Sequence, residues 1–203
     1  ASELSRKDEI FISDSGLISI AGGKLTGFRK MAKRVVDLCM KRLTDIPFTP
    51  CQTKNFLIHA EPFTDYQEYK TLINSLYKEY REEGLTHFQV SYLMTTYGKH
   101  AIPILEKALT NQEGELATKL VEAQLDYCTA YESIYYPQDF FIRRTGWLYF
   151  QIHHLRKHLS TIIRKLGQSY TWDVDTQTHM FTRSEQTIQR NMVQRTHDPL
   201  TTN

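Results

Sequence analysis

The first 43 residues combine two hydrophobic periods, one typical of strands and one typical of helices. Short apolar runs lie on both sides of Asp14-Ser15-Gly16, which predicts a β-hairpin with a three-residue loop. If Ser13 faces Leu17, paired positions sum to 30. The same count predicts the apolar pairs Ile10–Ile20 and Ile12–Ile18 on one face of the hairpin.

A one-sided helix is predicted after the hairpin. Thr26 is a plausible N-cap, and the apolar residues that follow it recur with helical spacing. The opposite face is basic and is most simply interpreted as solvent-exposed. The apolar positions are Phe28, Met31, Ala32, Val35, Val36, Cys39 and Leu43.

Past residue 65 the hydrophobic pattern is helical, and no strand pattern occurs. Asp65 and Glu68 resemble a capping box at the start of this region, and Gly167 is expected to stop a later helix. We therefore predict a mainly α fold. Its parts are a hairpin and helix over residues 1–45, a linker over 46–65 and an all-helical domain over 66–203.

Composition narrows the function classes. Lys and Arg total 25 against 23 for Asp and Glu, and this balance argues against a dedicated nucleic-acid binder. Three cysteines without a close pair favour a reducing compartment, so the cytoplasm is expected. Apolar runs stay below the roughly 20 residues that span a bilayer, which leaves peripheral contact with the inner face of the cell membrane open.

The junction of hairpin and helix, Gly22-Gly23-Lys24-Leu25-Thr26, is the candidate binding site. Glycines let another group approach the backbone, and a helix start offers N–H groups and the positive end of the helix dipole. Lys24 adds a full positive charge, so the junction favours an electron-rich group. A tight corner with a surface lysine explains the same residues, and the spacing is not that of a P-loop. Continued outward, the hairpin count places Arg6 opposite Lys24.

Two other clusters have simple structural interpretations. Asp139 and Arg143 are four residues apart, which predicts an ion pair on a helix face. His154 and His158 have the same spacing and could form a metal pair, but acids or thiols that would complete a site are lacking nearby. We expect no metal there.

Residues 16–32 and the stretch Asp139-Phe140-Phe141-Ile142-Arg143-Arg144-Thr145 closely resemble the bacterial FAD-dependent glycerol-3-phosphate dehydrogenases and oxidases. Ser5-Arg6-x-Asp8 and Leu93-x-x-x-Tyr97-Gly98 are similar to that family in the same order. In that family the first stretch closes the FAD domain and the second lies in a helical C-terminal domain. The resemblance therefore implies that the hairpin and first helix belong to the edge of an FAD-binding domain.

The resemblance also implies roles for the candidate residues. Gly22, Gly23, Lys24, Leu25 and Thr26 would border the flavin ring, and Lys24 would stabilise the reduced flavin. Arg6 would hold the substrate phosphate. The parent enzyme would oxidise sn-glycerol 3-phosphate to dihydroxyacetone phosphate and pass the electrons to quinone or O2. No residue is assigned as a catalytic base.

We expect the chain to be a C-terminal piece of that larger protein, because it starts without methionine and contains no G-x-G-x-x-G. Its partner would then be its own N-terminal FAD domain. By itself it should be inactive and should bind FAD poorly. The alternative is that residues 66–203 form an independent helical interaction module that docks a partner protein or a membrane surface.

Overall fold

The structure is a computed structural model, and it describes residues 8–22, 24–56, 61–110 and 113–196 of the 203-residue chain. The chain divides into two compact units. Unit 1 comprises residues 1–60 and unit 2 comprises residues 61–203.

Unit 1 contains an antiparallel two-stranded sheet. Its strands are β1 (Glu9–Ile12) and β2 (Ile18–Ala21). Ile10 lies opposite Ile20, as the sequence predicts. The N–H of Ser13 donates to the carbonyl of Leu17 at 3.0 Å and closes the loop. The predicted hairpin and its register are confirmed.

Helix α1 (Phe28–Arg42) follows a 3₁₀ turn at Leu25–Gly27. The N–H of Gly27 donates to the carbonyl of Lys24 at 3.0 Å, so the turn begins before Thr26. The prediction of Thr26 as the N-cap is therefore wrong, because Lys24 is the N-cap of the 3₁₀ turn and Gly27 is the N-cap of α1.

Unit 1 leaves its apolar side chains largely in contact with solvent. None of its described residues, 8–22 and 24–56, is buried. Two strands and one helix are too few to cover both faces of a sheet. The large apolar side chains that remain exposed are Phe11, Ile12, Leu17, Ile20, Leu25, Phe28, Val36, Leu43, Ile46, Phe48 and Phe56.

The secondary structure of unit 2, in the residues described, is helical. Its helices are α2 (Tyr66–Tyr80), α3 (His87–Tyr97), α4 (Ala101–Thr110), α5 (Leu116–Tyr131), α6 (Trp147–Phe150), α7 (Ile152–Tyr170) and α8 (Val174–Thr196). A π-helix at Asp139–Arg144 lies between α5 and α6. The predicted mainly α fold with a short hairpin is confirmed.

Local sequence signals account for the starts of several helices. Asp65 caps α2 by accepting the N–H of Glu68 at 2.8 Å, and the Glu68 carboxylate accepts the N–H of Thr64 at 2.6 Å. Thr86 and Gln89 form a capping box at the start of α3. Helix α5 packs against both α4 and α7. The core that these helices share includes Val90, Leu105, Leu125, Phe140, Trp147, Leu155, Ile162 and Leu166.

Gly167 does not end a helix, so that prediction is wrong. Helix α7 continues through Gly167 and its last residue is Tyr170. Thr171 is the C-cap, and its φ is 54°. A Cβ on Gly167 would lie 2.8 Å from Cδ of Gln177 in α8. The glycine therefore serves close packing between α7 and α8.

Among the described residues, no helix combines the length and the apolar character needed to cross a bilayer.

Candidate functional site

The junction between β2 and α1 is a close-packed corner. Gly22 follows β2, and a Cβ added to it would lie 2.8 Å from Sδ of Met31 in α1. The absence of a side chain at Gly22 therefore leaves this space to the end of the Met31 side chain. Gly23 lies outside the described residues.

The start of the helical segment presents a cation and N–H groups. Lys24 is exposed and extended, with φ −124° and ψ 122°, and it forms no ion pair with any described residue. Neither Lys24 nor Gly27 provides a side-chain cap. No side-chain cap therefore neutralises the positive end of the helix dipole. An uncapped helix start of this kind is suited to binding an electron-rich group.

Arg34 joins α1 to the start of the hairpin. Its Nη1 donates to the carbonyl of Asp8 at 3.3 Å and pairs with the Asp8 carboxylate. One residue earlier on the same helix, Lys33 pairs with Asp37, and this contact raises the pKa of Lys33. Part of the basic face of α1 is therefore engaged in holding unit 1 together.

The structure describes four of the five residues predicted to border the flavin and does not describe Arg6. Gly22, Lys24, Leu25 and Thr26 lie together at the junction, and Leu25 is 89% exposed. Their role towards a flavin stays a prediction. Arg6 lies outside the described residues, and so does the predicted Arg6–Lys24 neighbourhood.

In unit 2, the stretch that carries the second part of the family resemblance forms the π-helix. Arg143 donates to the Asp139 carboxylate at 2.8 Å, so the predicted ion pair is confirmed. The same carboxylate accepts the N–H groups of Tyr135 and Tyr136. Asp139 therefore also ties the preceding loop to the start of this segment.

Arg144 points inward, a role that the sequence does not reveal. It pairs with Glu132, donates to the carbonyl of Thr96 at 3.0 Å and lies 4.5 Å from the centre of the Tyr97 ring. Glu132 follows the end of α5 and carries no helical spacing to Arg144. Only the folded structure shows that these two charges are in contact.

A buried polar cluster continues from this ion pair. Tyr97 donates to Gln124 at 3.1 Å and lies 3.7 Å from the sulfur of Cys128. Burial raises the pKa of Tyr97, and it raises the pKa of the Cys128 thiol to about 12. These groups stay protonated at neutral pH, which indicates a structural role.

The rings of His154 and His158 are in contact, with centroids 4.6 Å apart and ring planes tilted by 58°. The His154 ring also meets Trp147 edge to face at 4.5 Å. Burial lowers the pKa of His154 to about 4, with contributions from His158 and Lys157. Among the described residues, no group of three or more His, Cys, Asp or Glu side chains could hold a metal ion.

Comparison with known proteins identifies the fold of unit 2. The family model for the C-terminal domain of alpha-glycerophosphate oxidase matches residues 51–177. The chain belongs to this family. The resemblance noted in the sequence is therefore confirmed, and the π-helix and its two arginines lie inside the matched alpha-glycerophosphate oxidase domain.

Two bacterial relatives of this chain have the same name. The aerobic glycerol-3-phosphate dehydrogenase of Bacillus subtilis (strain 168) is 36% identical over 178 residues, which are 85% of this chain and 32% of that protein. The Staphylococcus saprophyticus protein of the same name is 36% identical over 166 residues, 80% of this chain and 30% of that protein.

A solved structure gives the same result. The X-ray structure of the glycerol-3-phosphate dehydrogenase from Bacillus halodurans complexed with FAD has a TM-score of 0.75 at 32% identity. The match covers 89% of this chain and 36% of that one. The chain therefore spans about a third of the length of the relatives it matches.

Proposed function

We propose that this chain is the C-terminal part of a flavoenzyme that oxidises sn-glycerol 3-phosphate to dihydroxyacetone phosphate. The observation that carries the proposal is the match of 89% of the chain to a glycerol-3-phosphate dehydrogenase structure complexed with FAD. The electrons go on to quinone or O2. The 203-residue chain alone is expected to be inactive, because it lacks the G-x-G-x-x-G that grips a dinucleotide.

The junction after β2 fits one edge of FAD. Lys24 is exposed and the helix start lacks a side-chain cap, so a cation and N–H groups are available to a bound group. FAD, when bound, supplies the acceptor for the substrate hydride. Lys24 and the N–H groups of Leu25 and Thr26 would stabilise negative charge on the reduced ring.

Arg6 would bind the substrate phosphate. A guanidinium offers two parallel donors to phosphate oxygens, and fixing the phosphate fixes the reacting carbon. Replacing Arg6 by Ala should therefore lower kcat/KM for the phosphorylated substrate. Unchanged kinetics would remove Arg6 from the site.

The N-terminal FAD domain of the same protein is the proposed partner of unit 1. A hairpin that leaves Phe11 54% exposed, followed by a helix that leaves Phe28 67% exposed, is suited to packing against further chain. This supports the prediction that the hairpin and α1 form the edge of a larger domain. Peripheral membrane contact is compatible with this arrangement.

The test is to extend the chain with the N-terminal half of a relative and to assay glycerol 3-phosphate oxidation. The extended protein should purify with bound yellow flavin and should turn over, whereas the 203-residue chain should do neither. If the folded, extended protein held no flavin, the proposal would fail. An independent helical interaction module would then be the better hypothesis.

A further inference from the structure

Unit 2 contains a cavity that the proposed oxidation does not use. It has a volume of about 330 Å³ and lies between α3, α5 and the α6–α7 segment. This volume is at the lower end of the range typical of small-molecule sites. We call it the α3–α5 cavity.

The floor of the α3–α5 cavity is apolar. Leu93, Val121 and Trp147 line it, and each is 2% exposed or less. The Trp147 indole is held in place, because its Nε1 donates to the Tyr92 hydroxyl at 2.7 Å. Aromatic residues also form one wall, where Phe88 stacks on Tyr92 with centroids 6.4 Å apart. Such walls suit a flat ring.

Two polar side chains at the cavity have no hydrogen-bond partner among the described residues. Gln151 and His154 line it, and neither side chain makes a hydrogen bond to any residue that the structure describes. The other two glutamines that line the cavity are engaged, since Gln89 accepts from Thr86 and Gln124 accepts from Tyr97. A ligand can therefore gain hydrogen bonds from Gln151 and His154 without breaking existing ones.

The charge of the cavity restricts its ligand. No Asp, Glu, Lys or Arg side chain belongs to the described lining. Burial lowers the pKa of His154 to about 4, so its imidazole is neutral at pH 7 and offers one donor and one acceptor. A charged ligand would lose hydration there without gaining a counter-ion.

We propose that the α3–α5 cavity binds a small, uncharged, planar aromatic molecule that carries one hydroxyl or similar polar group. The ring packs against the Phe88–Tyr92 pair, above the apolar floor that includes Trp147, and the polar group bonds to His154. This site is separate from the junction in unit 1 and does not depend on the proposed flavin chemistry.

The test uses 2-naphthol as the probe and the indole signals of the protein as the readout. The chain has only two tryptophans, so a ¹⁵N–¹H spectrum shows two indole peaks. Trp147 lines the cavity, whereas Trp172 stacks on Tyr170 elsewhere in unit 2 and serves as the internal control. At pH 7 the Trp147 peak should move saturably and the Trp172 peak should stay.

Two variants and a second probe test the ligand chemistry. Ala117→Leu fills the cavity and should abolish the shift, whereas Ala130→Leu on the same helix lines a different groove and should leave it. His154→Phe should raise the Kd of 2-naphthol about fivefold or more, as the loss of one hydrogen bond predicts. The Kd of naphthalene, which lacks the hydroxyl, should change less than about twofold.

Three results would overturn the proposal. They are equal shifts at both tryptophans, the same response in Ala117→Leu and Ala130→Leu, and a His154→Phe variant that weakens both probes alike. An absent Trp147 shift would also overturn it and would leave the cavity as a contact surface for another segment of protein.

Discussion

Arg143 and Arg144 are adjacent in the chain, yet their environments differ completely. The Arg143 side chain is 69% exposed and makes a surface pair with Asp139. The Arg144 side chain is 25% exposed, and its partner Glu132 is 16% exposed. The energetic cost of losing each arginine should differ accordingly, because a surface pair contributes little and an uncompensated buried charge is expensive.

Replacing Arg144 by Met should lower the free energy of unfolding by about 3 kcal/mol, because the Glu132 carboxylate is left without its counter-charge. Arg143→Met is the matched control and should cost less than about 1 kcal/mol. Urea unfolding followed by circular dichroism measures both. Equal losses in the two variants would contradict the difference in burial.

Lys24 is the residue through which the flavin proposal can be tested most directly. In the extended protein, Lys24→Met should lower the flavin midpoint potential by about 30 mV, which equals about 1.4 kcal/mol for a two-electron couple. Removal of a positive charge destabilises the reduced ring, which carries the negative charge. Lys30→Met, on the exposed side of α1, is the control. If the two variants have the same potential, Lys24 is only a surface charge.

At the scale of single residues, the sequence predicts contacts between residues a few positions apart. It does not predict contacts between residues that are distant in the chain. The Asp139–Arg143 pair follows from helical spacing alone. The pairs Arg144–Glu132 and Arg34–Asp8 join residues from different elements, and no local pattern relates them. The contact between Gly22 and Met31 is a further contact that the sequence does not reveal. The glycine indicates that some group lies close to the backbone, but it does not indicate that this group is the Met31 side chain.

Helix α7 illustrates the same limit for whole elements. Its apolar spacing predicts the buried face correctly, with Leu155, Leu159, Ile162 and Leu166 in the core. Its end is misplaced because glycine has two uses, as a C-terminal stop and as a site of close helix packing. Only the position of Gln177 on α8 distinguishes them at Gly167.

Helix α7 should also make stability depend on pH. Burial lowers the pKa of His154 from its ordinary value of 6.5 to about 4, and it lowers the pKa of His158 as well. Between these values the unfolded chain binds more protons than the folded one, so stability is lost as the pH falls from about 6.5 to about 4. The slope is at most about 1.4 kcal/mol per pH unit for each histidine.

Urea unfolding at several pH values measures that slope. His154→Gln should reduce the slope, because one of the two buried imidazoles is gone. His153→Gln, on the exposed side of the same helix, should leave the slope as it is. A slope that is the same in His154→Gln and the unchanged chain would show that burial does not hold His154 neutral.

The two units of the molecule differ in how much they bury. Unit 2 encloses a continuous core, while none of the described residues of unit 1 is buried. The division into a hairpin with a helix and a helical region is evident from the change of hydrophobic period. What covers the apolar residues of unit 1 is not evident, because a pattern shows which face is apolar and not what packs on it.

Hydrogen exchange should reveal this difference. Amides of α5 and α7 should exchange slowest, because they lie at the centre of the core, and those of β1, β2 and α1 should exchange much faster. Mass spectrometry of peptides from the exchanged chain measures both. Adding the N-terminal FAD domain should slow exchange in unit 1 selectively. Equal protection of α1 and α7 in the 203-residue chain would contradict the prediction.

The π-helix makes the number of residues in this segment as important as their identity. The N–H of Thr145 donates to the carbonyl of Phe140 at 2.9 Å, five residues back instead of four. Deleting one residue, such as Ile142, would make this an ordinary four-residue bond and would leave three residues in place of four between Phe140 and Thr145. Arg143 and Arg144 would then project in new directions, and Arg144 would no longer be aimed at Glu132. Natural variants of this segment should therefore change by substitution and not by loss of a residue.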